Sequence, residues 1–180
     1  IINSLKSFIP SVVESMKLME ENAKTITEAF LKMENTSDLL FNLFLIAFIP
    51  AIGEEMVFRG GLQKKLHSIL QSHHLAIFVS SFIFSAIHMQ FFGFLPRFIL
   101  GIILGYLFYY SKNLWIPIIA HFINNALAVL IMYSAFANKL NTDISEIEKT
   151  DINFLQASIS FVVVMLFIYL FKKINSREEI

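Results

Sequence analysis

The chain has 180 residues, 56% of them apolar and only 16% charged, at a mean hydropathy of +0.66. Water-soluble domains carry roughly 45 to 50% apolar and about 25% charged residues, so the excess must face something other than water. Fourteen basic residues balance fourteen acidic ones and there is no cysteine, which excludes the basic surplus of a nucleic-acid binder, a disulfide scaffold, a thiol nucleophile and a Cys-ligated metal.

Residues 1–37 read as one amphipathic helix. Val12, Met16, Met19, Ala23, Ile26, Phe30 and Met33 recur at spacings of three and four, with Lys and Glu elsewhere. The segment is too charged to span a membrane. Lys6, Lys17, Lys24 and Lys32 are outnumbered by Glu14, Glu20, Glu21, Glu28 and Glu34, which argues against an anchor held by anionic lipid. An interfacial helix docked on the extracytoplasmic rim, gating or recognising substrate, is expected. The first residue is Ile and no signal-peptide pattern follows it, so the chain reads as part of a longer protein with further helices upstream.

Residues 38–175 form the core unit. Stretches free of Asp, Glu, Lys and Arg run over 39–53, 66–96, 98–111, 113–138 and 152–171. A hydrocarbon core of about 30 Å needs about 20 helical residues, which the second, fourth and fifth stretches supply unaided. The first is expected to continue through Glu54, Glu55 and Arg59 as one long helix kinked at Pro50. The third gains length from Gly93 to Arg97, whose side chain can snorkel. Backbone groups in lipid must be satisfied within each segment, and no strand-like alternation recurs. The fold class is therefore all-α: a polytopic transmembrane bundle with about five membrane helices, preceded by the amphipathic one. Gly101 and Gly105 form a G-x-x-x-G that permits close helix approach inside it. Arg59, Lys64, Lys65, Lys112, Lys172, Lys173 and Arg177 follow the first, third and fifth segments, which places the 60–74 connection and the C-terminus in the cytoplasm. The Lys-, Asn- and Ile-rich composition suggests an AT-rich bacterial genome, and with it a bacterial cell membrane as the expected location.

Ionisable residues at membrane depth are costly, and each is a functional candidate. Glu55 and Arg59 stand four apart with Glu on the N-terminal side, the favourable order for an ion pair. Glu54 lies about 100° further round, away from that partner, and is the candidate base. Two adjacent glutamates alone would equally suit a buried ion-pair network. His88 follows Phe84 by one turn, and a single His in an apolar helix is as readily a core residue bonded to nearby backbone. His121 and Asn125 share a face, and both can present N–H groups to a developing oxyanion; Asn124 points elsewhere. Counted from the cytoplasmic ends at about 1.5 Å per residue, Glu54, His88, His121 and Asn125 fall at about 18, 21, 10 and 16 Å. One buried polar cavity accounts for all of them. Glu54, His88 and His121 would also make a catalytic zinc set, although the helical H-E-x-x-H pattern is absent.

The three elements E-E-x-x-x-R (Glu54, Glu55, Arg59), F-x-x-x-H (Phe84, His88) and H-x-x-x-N (His121, Asn125), in this order on successive apolar segments, resemble the CPBP family of CAAX prenyl proteases and bacteriocin-processing enzymes. The resemblance covers about residues 38–136. It implies an intramembrane endopeptidase of about eight helices, so that roughly three helices lie outside this piece. It makes Glu54 the catalytic glutamate acting with His88 on water, His121 and Asn125 the oxyanion pair, and Glu55 and Arg59 the remainder of the first motif. Members have been described as metalloproteases and as metal-independent glutamate proteases. No third deep ligand beyond this set stands out, which favours chemistry without a required cofactor over a divalent metal such as zinc.

The expected function is thus hydrolysis of a peptide bond in a membrane-embedded or lipidated protein or peptide, with the lipid bilayer as the other partner and no nucleic acid. The alternatives are a non-catalytic membrane binding or immunity protein on the same fold, and a small transporter using Glu54 and the histidines as a proton relay, against which there is no internal repeat.

Overall fold

The computed structural model describes residues 10–31, 33–91 and 93–137. Among them every regular element is helical. The first helix, α1 (Pro10–Leu31), begins with a proline at a position that needs no amide hydrogen. Val13 is buried, whereas Leu18, Met19 and Ile26 are exposed, so its apolar stripe is only partly covered by the rest of the chain. It touches the last described helix.

Asn35 starts the next helix. Its side chain accepts from the Asp38 amide at 3.0 Å, and the Asp38 carboxylate accepts from the Glu34 amide at 2.9 Å, a reciprocal cap that satisfies two amides otherwise without partners. From there α2 (Thr36–Leu70) runs for 35 residues, on the order of 50 Å and longer than one hydrocarbon core. It holds the expected first segment with Glu54, Glu55 and Arg59 in the same helix. Two stretches, Leu43–Phe48 and Met56–Gln63, widen to π-helical turns on either side of the glutamates. Such turns re-aim side chains and occur often at functional sites. The first precedes Pro50, which has no N–H to return to the Ile46 carbonyl one turn back. Gln71, in the left-handed region at φ 53°, ends α2 with its amide on the His67 carbonyl at 2.9 Å.

The 66–96 stretch is not the single long span expected from its lack of charge. Its first residues complete α2, Ser72 then caps α3 (His73–Ala86) by accepting from the Leu75 amide, and α3 ends after 14 residues. At about 1.5 Å per residue that is about 21 Å, short of a hydrocarbon core. The stretch has no Asp, Glu, Lys or Arg, but its polar uncharged residues Gln71 and Ser72 break it. A turn through Met89, at φ 54°, leads to α4 (Phe94–Ser111), which ends on Lys112 in the left-handed region. Asn113 accepts from the Trp115 amide at 2.9 Å and opens α5 (Trp115–Ala137).

Among the described residues three helices, Thr36–Leu70, Phe94–Ser111 and Trp115–Ser134, are long and apolar enough to cross a membrane, with α3 a shorter apolar companion. Phe78, Phe82, Ile119, Ile123 and Leu127 are exposed on their outer faces, as lipid contact requires. The chain is an all-α integral membrane protein. The expected 152–171 helix and the C-terminal charges lie outside the described residues.

Helices α3 and α4 pack most closely where G-x-x-x-G occurs. A Cβ on Gly101 would sit 3.0 Å from the Ser81 Cβ, and one on Gly105 would sit 2.8 Å from the Ile77 Cγ2. The absent side chains let α4 approach close enough for α2 to bond its backbone.

Candidate active site

Three helices and the turn after α3 bring the sequence-selected residues to one place. Glu55 and Arg59 lie inside it, 0% and 1% exposed, with Arg59 Nη1 2.8 Å from Glu55 Oε1. A buried pair must satisfy its remaining hydrogen-bonding groups to avoid a net cost. Arg59 Nη2 donates to the Gly101 carbonyl at 2.8 Å. One turn on, Gln63 Nε2 donates to the Gly105 carbonyl at 3.2 Å. Glu55, Arg59 and Gln63 thus lie on one stripe at i, i+4, i+8, from which Arg59 and Gln63 donate to the two glycine carbonyls of α4. The Arg59 guanidinium also rests 4.9 Å from the centre of the Phe84 ring, a cation–π contact.

Phe84 is the hub of the packing. Its ring meets Phe58, His88 and His121 edge to face at 5.1, 5.2 and 6.0 Å. The aromatic of F-x-x-x-H thereby fixes both imidazoles against α2.

His88 stands just past the end of α3. Its Nδ1 is 2.8 Å from the Phe84 carbonyl, and His121 Nδ1 is 2.9 Å from Glu55 Oε1. A carbonyl and an ion-paired carboxylate can only accept, so both rings carry their hydrogen on Nδ1. Each then turns its Nε2 to the same group. His88 Nε2 lies 4.0 Å from Glu54 Oε1, and His121 Nε2 lies 3.8 Å from Glu54 Oε2. Glu54 is 29% exposed, against 0% for Glu55 beside it. Of the two adjacent carboxylates, one is locked in an ion pair and the other faces an accessible gap between two histidines.

Residues 36–127 match the family model described as type II CAAX prenyl endopeptidase Rce1-like. The chain belongs to this Rce1-like family. Over 92 residues it is also 34% identical to the uncharacterized protein YpbD of Bacillus subtilis (strain 168), an alignment covering 49% of this chain and 42% of that protein. The chain thus spans less than half the length of that relative. No solved structure matches. The family expected from the three motifs is the one found, and all seven motif residues fall inside the matched stretch.

The two residues of the third motif, His121 and Asn125, both bond to α2. His121 and Asn125 were expected to act as a pair presenting N–H groups. In the fold His121 Nδ1 is committed to Glu55, and Asn125 Nδ2 lies 3.4 Å from the Ile46 carbonyl, the group that Pro50 leaves without its helical donor. Asn124 is exposed, on another side of the helix from the buried His121, and its Nδ2 donates to Asn125 Oδ1 at 3.2 Å. Gln63 was not singled out from the sequence. Gln63 could have been found as the next position on the Glu55, Arg59 stripe.

Glu54, His88 and His121 offer an oxygen and two imidazole nitrogens, a donor set whose chemistry suits zinc. Among the described residues no group of three His, Cys, Asp or Glu is arranged to hold a metal ion.

Proposed function

We propose that this chain carries the catalytic core of an intramembrane endopeptidase, in which Glu54 activates water for hydrolysis of a peptide bond in a membrane-embedded or lipidated protein or peptide. The observation that carries the reading is the accessible Glu54 carboxylate between two imidazole Nε2 atoms, beside a fully buried carboxylate that is already paired with Arg59.

A water in that gap donates a hydrogen bond to Glu54 and turns an oxygen lone pair outward to a scissile carbonyl. Glu54 takes one hydrogen as the water oxygen bonds to the carbonyl carbon and the C=O electron pair moves to oxygen. The oxyanion lies toward the α5 face, where the Asn125 amide can donate and where His121 Nε2 becomes a donor when it takes the proton from Glu54. The C–N bond then breaks, its electron pair stays on nitrogen, and the proton passes to the leaving amine. The products are a new carboxylate and a new amine. Glu55 and Arg59 do not touch the reacting atoms in this scheme; they hold the His121 ring. The reading requires no metal. Were a divalent ion bound, Glu54, His88 and His121 would hold it and it would supply a polarised water.

The loop charges favour a cytoplasmic 60–74 connection, and a substrate held in the membrane by a lipid or an apolar segment suits a site at this depth. Membranes from cells making the full-length protein, incubated in water enriched in oxygen-18, test the reading. New peptide C-termini carrying solvent oxygen are expected with the wild type and not with Glu54→Gln at matched abundance. Equal labelling in the two would remove Glu54 from the chemistry and move the reading to a binding or immunity protein.

A further inference from the structure

The segment that presents His88 has no helix of its own. α3 ends at Ala86, His88 follows, and Met89 turns the chain through φ 54°. A residue held on a turn needs external support to keep its ring within the few tenths of an ångström that proton transfer requires. Two contacts from the start of α4 supply it. Ser85 Oγ donates to the Phe94 carbonyl at 2.6 Å. Arg97 reaches back with both arms of its guanidinium, Nη1 to Gln90 Oε1 and Nη2 to the Gln90 carbonyl, each at 2.6 Å. The bound backbone carbonyl is two residues from His88.

The same guanidinium lies flat over Gly93. A Cβ there would be 2.7 Å from Arg97 Nη1 and 2.9 Å from its Cζ, so glycine is what leaves room for the fork. Glu20 on α1 is near enough to act on Arg97 electrostatically. Arg97 is otherwise an odd residue for an apolar helix, and a snorkelling role would send it to the interface rather than clamp it onto Gln90.

We infer that Arg97 is a positioning residue for His88: its two-armed hold on Gln90 fixes the turn that aims the imidazole at Glu54. The role rests on the hydrolytic reading given above. It requires a fork, since lysine has a point charge and cannot hold the side-chain and backbone oxygens together in one plane.

The experiment measures the initial rate of oxygen-18 entry into new C-termini, using membranes that contain the full-length protein at matched folded abundance. Arg97→Gln is expected to slow labelling by about 10- to 100-fold, the scale of a misplacement near 1 Å. Arg97→Lys should fall between it and the wild type. Gly93→Ala, which keeps Arg97 but pushes a methyl into its guanidinium, should slow labelling in the same sense. The decisive readout is the pairing with His88. In a His88→Gln background, Arg97→Gln should change the residual rate by no more than about twofold, because the group it aims is gone. Full losses in both backgrounds would show general scaffolding and overturn the inference, as would a wild-type rate in Arg97→Gln. If the wild type itself shows no Glu54-dependent labelling, the hydrolytic reading falls and the positioning role falls with it.

Discussion

The two adjacent glutamates should differ sharply in what they do for stability. Glu55 is fully buried and its Oε1 accepts from Arg59 at 2.8 Å and from His121 at 2.9 Å. Glu55→Gln keeps the shape and an acceptor oxygen but removes the charge, leaving the buried Arg59 guanidinium uncompensated, which costs about 3–5 kcal/mol. Glu54 is 29% exposed and its nearest basic atoms are 3.8 and 4.0 Å away, so Glu54→Gln should cost about 0–1 kcal/mol. For a chain of this size about 1 kcal/mol moves the melting midpoint by about 2–4 °C. In detergent Glu55→Gln should then melt about 6–20 °C below the wild type, and Glu54→Gln less than about 4 °C below it. Removing both charges with Glu55→Gln/Arg59→Gln should recover much of the loss, because no unpaired charge remains. Equal shifts for the two single variants, or a double variant as low as the sum of its singles, would refute the division of roles between the glutamates.

Gly101→Ala should lower the melting temperature, because its methyl meets Ser81 at 3.0 Å and overpacking costs about 1–3 kcal/mol; Gly60→Ala, with its nearest neighbour at 3.5 Å, should change it little. Ser85→Ala removes the 2.6 Å bond to the Phe94 carbonyl, and a loss of about 1 kcal/mol is expected in the same assay. His88→Gln and His121→Gln should each abolish most oxygen-18 labelling, with the larger loss of stability for His121, which is buried against Glu55. A membrane-permeant chelator should leave labelling unchanged. Abolition by chelator and recovery with zinc would reassign Glu54, His88 and His121 as ligands.

Much of this arrangement was legible because it depends on helical periodicity. Glu55 and Arg59 meet because they stand four apart, and Glu54 separates from them because it lies one residue round the helix. Depth counted along three segments brought Glu54, His88 and His121 to overlapping levels, and they converge. The 66–96 stretch misled because a count of charged residues is blind to Gln71 and Ser72, whose turn and cap end one helix and start another. The π-helical turns around the glutamates leave no mark in composition, since they are a choice of hydrogen-bond ladder made under packing. Which nitrogen of His121 faces Glu54 depends on how α5 is rotated against α2, a tertiary fact. Asn125 was within reach of sequence reasoning: Pro50 frees the Ile46 carbonyl, and an amide on a neighbouring helix is the natural donor.

The most direct measurement compares the N-termini of membrane proteins and peptides from cells making the full-length protein with those from cells making Glu54→Gln at the same abundance. N-termini present only with the wild type are expected, and they would identify the substrate along with the cut. Identical sets, with both proteins folded in the membrane, would contradict hydrolysis by Glu54.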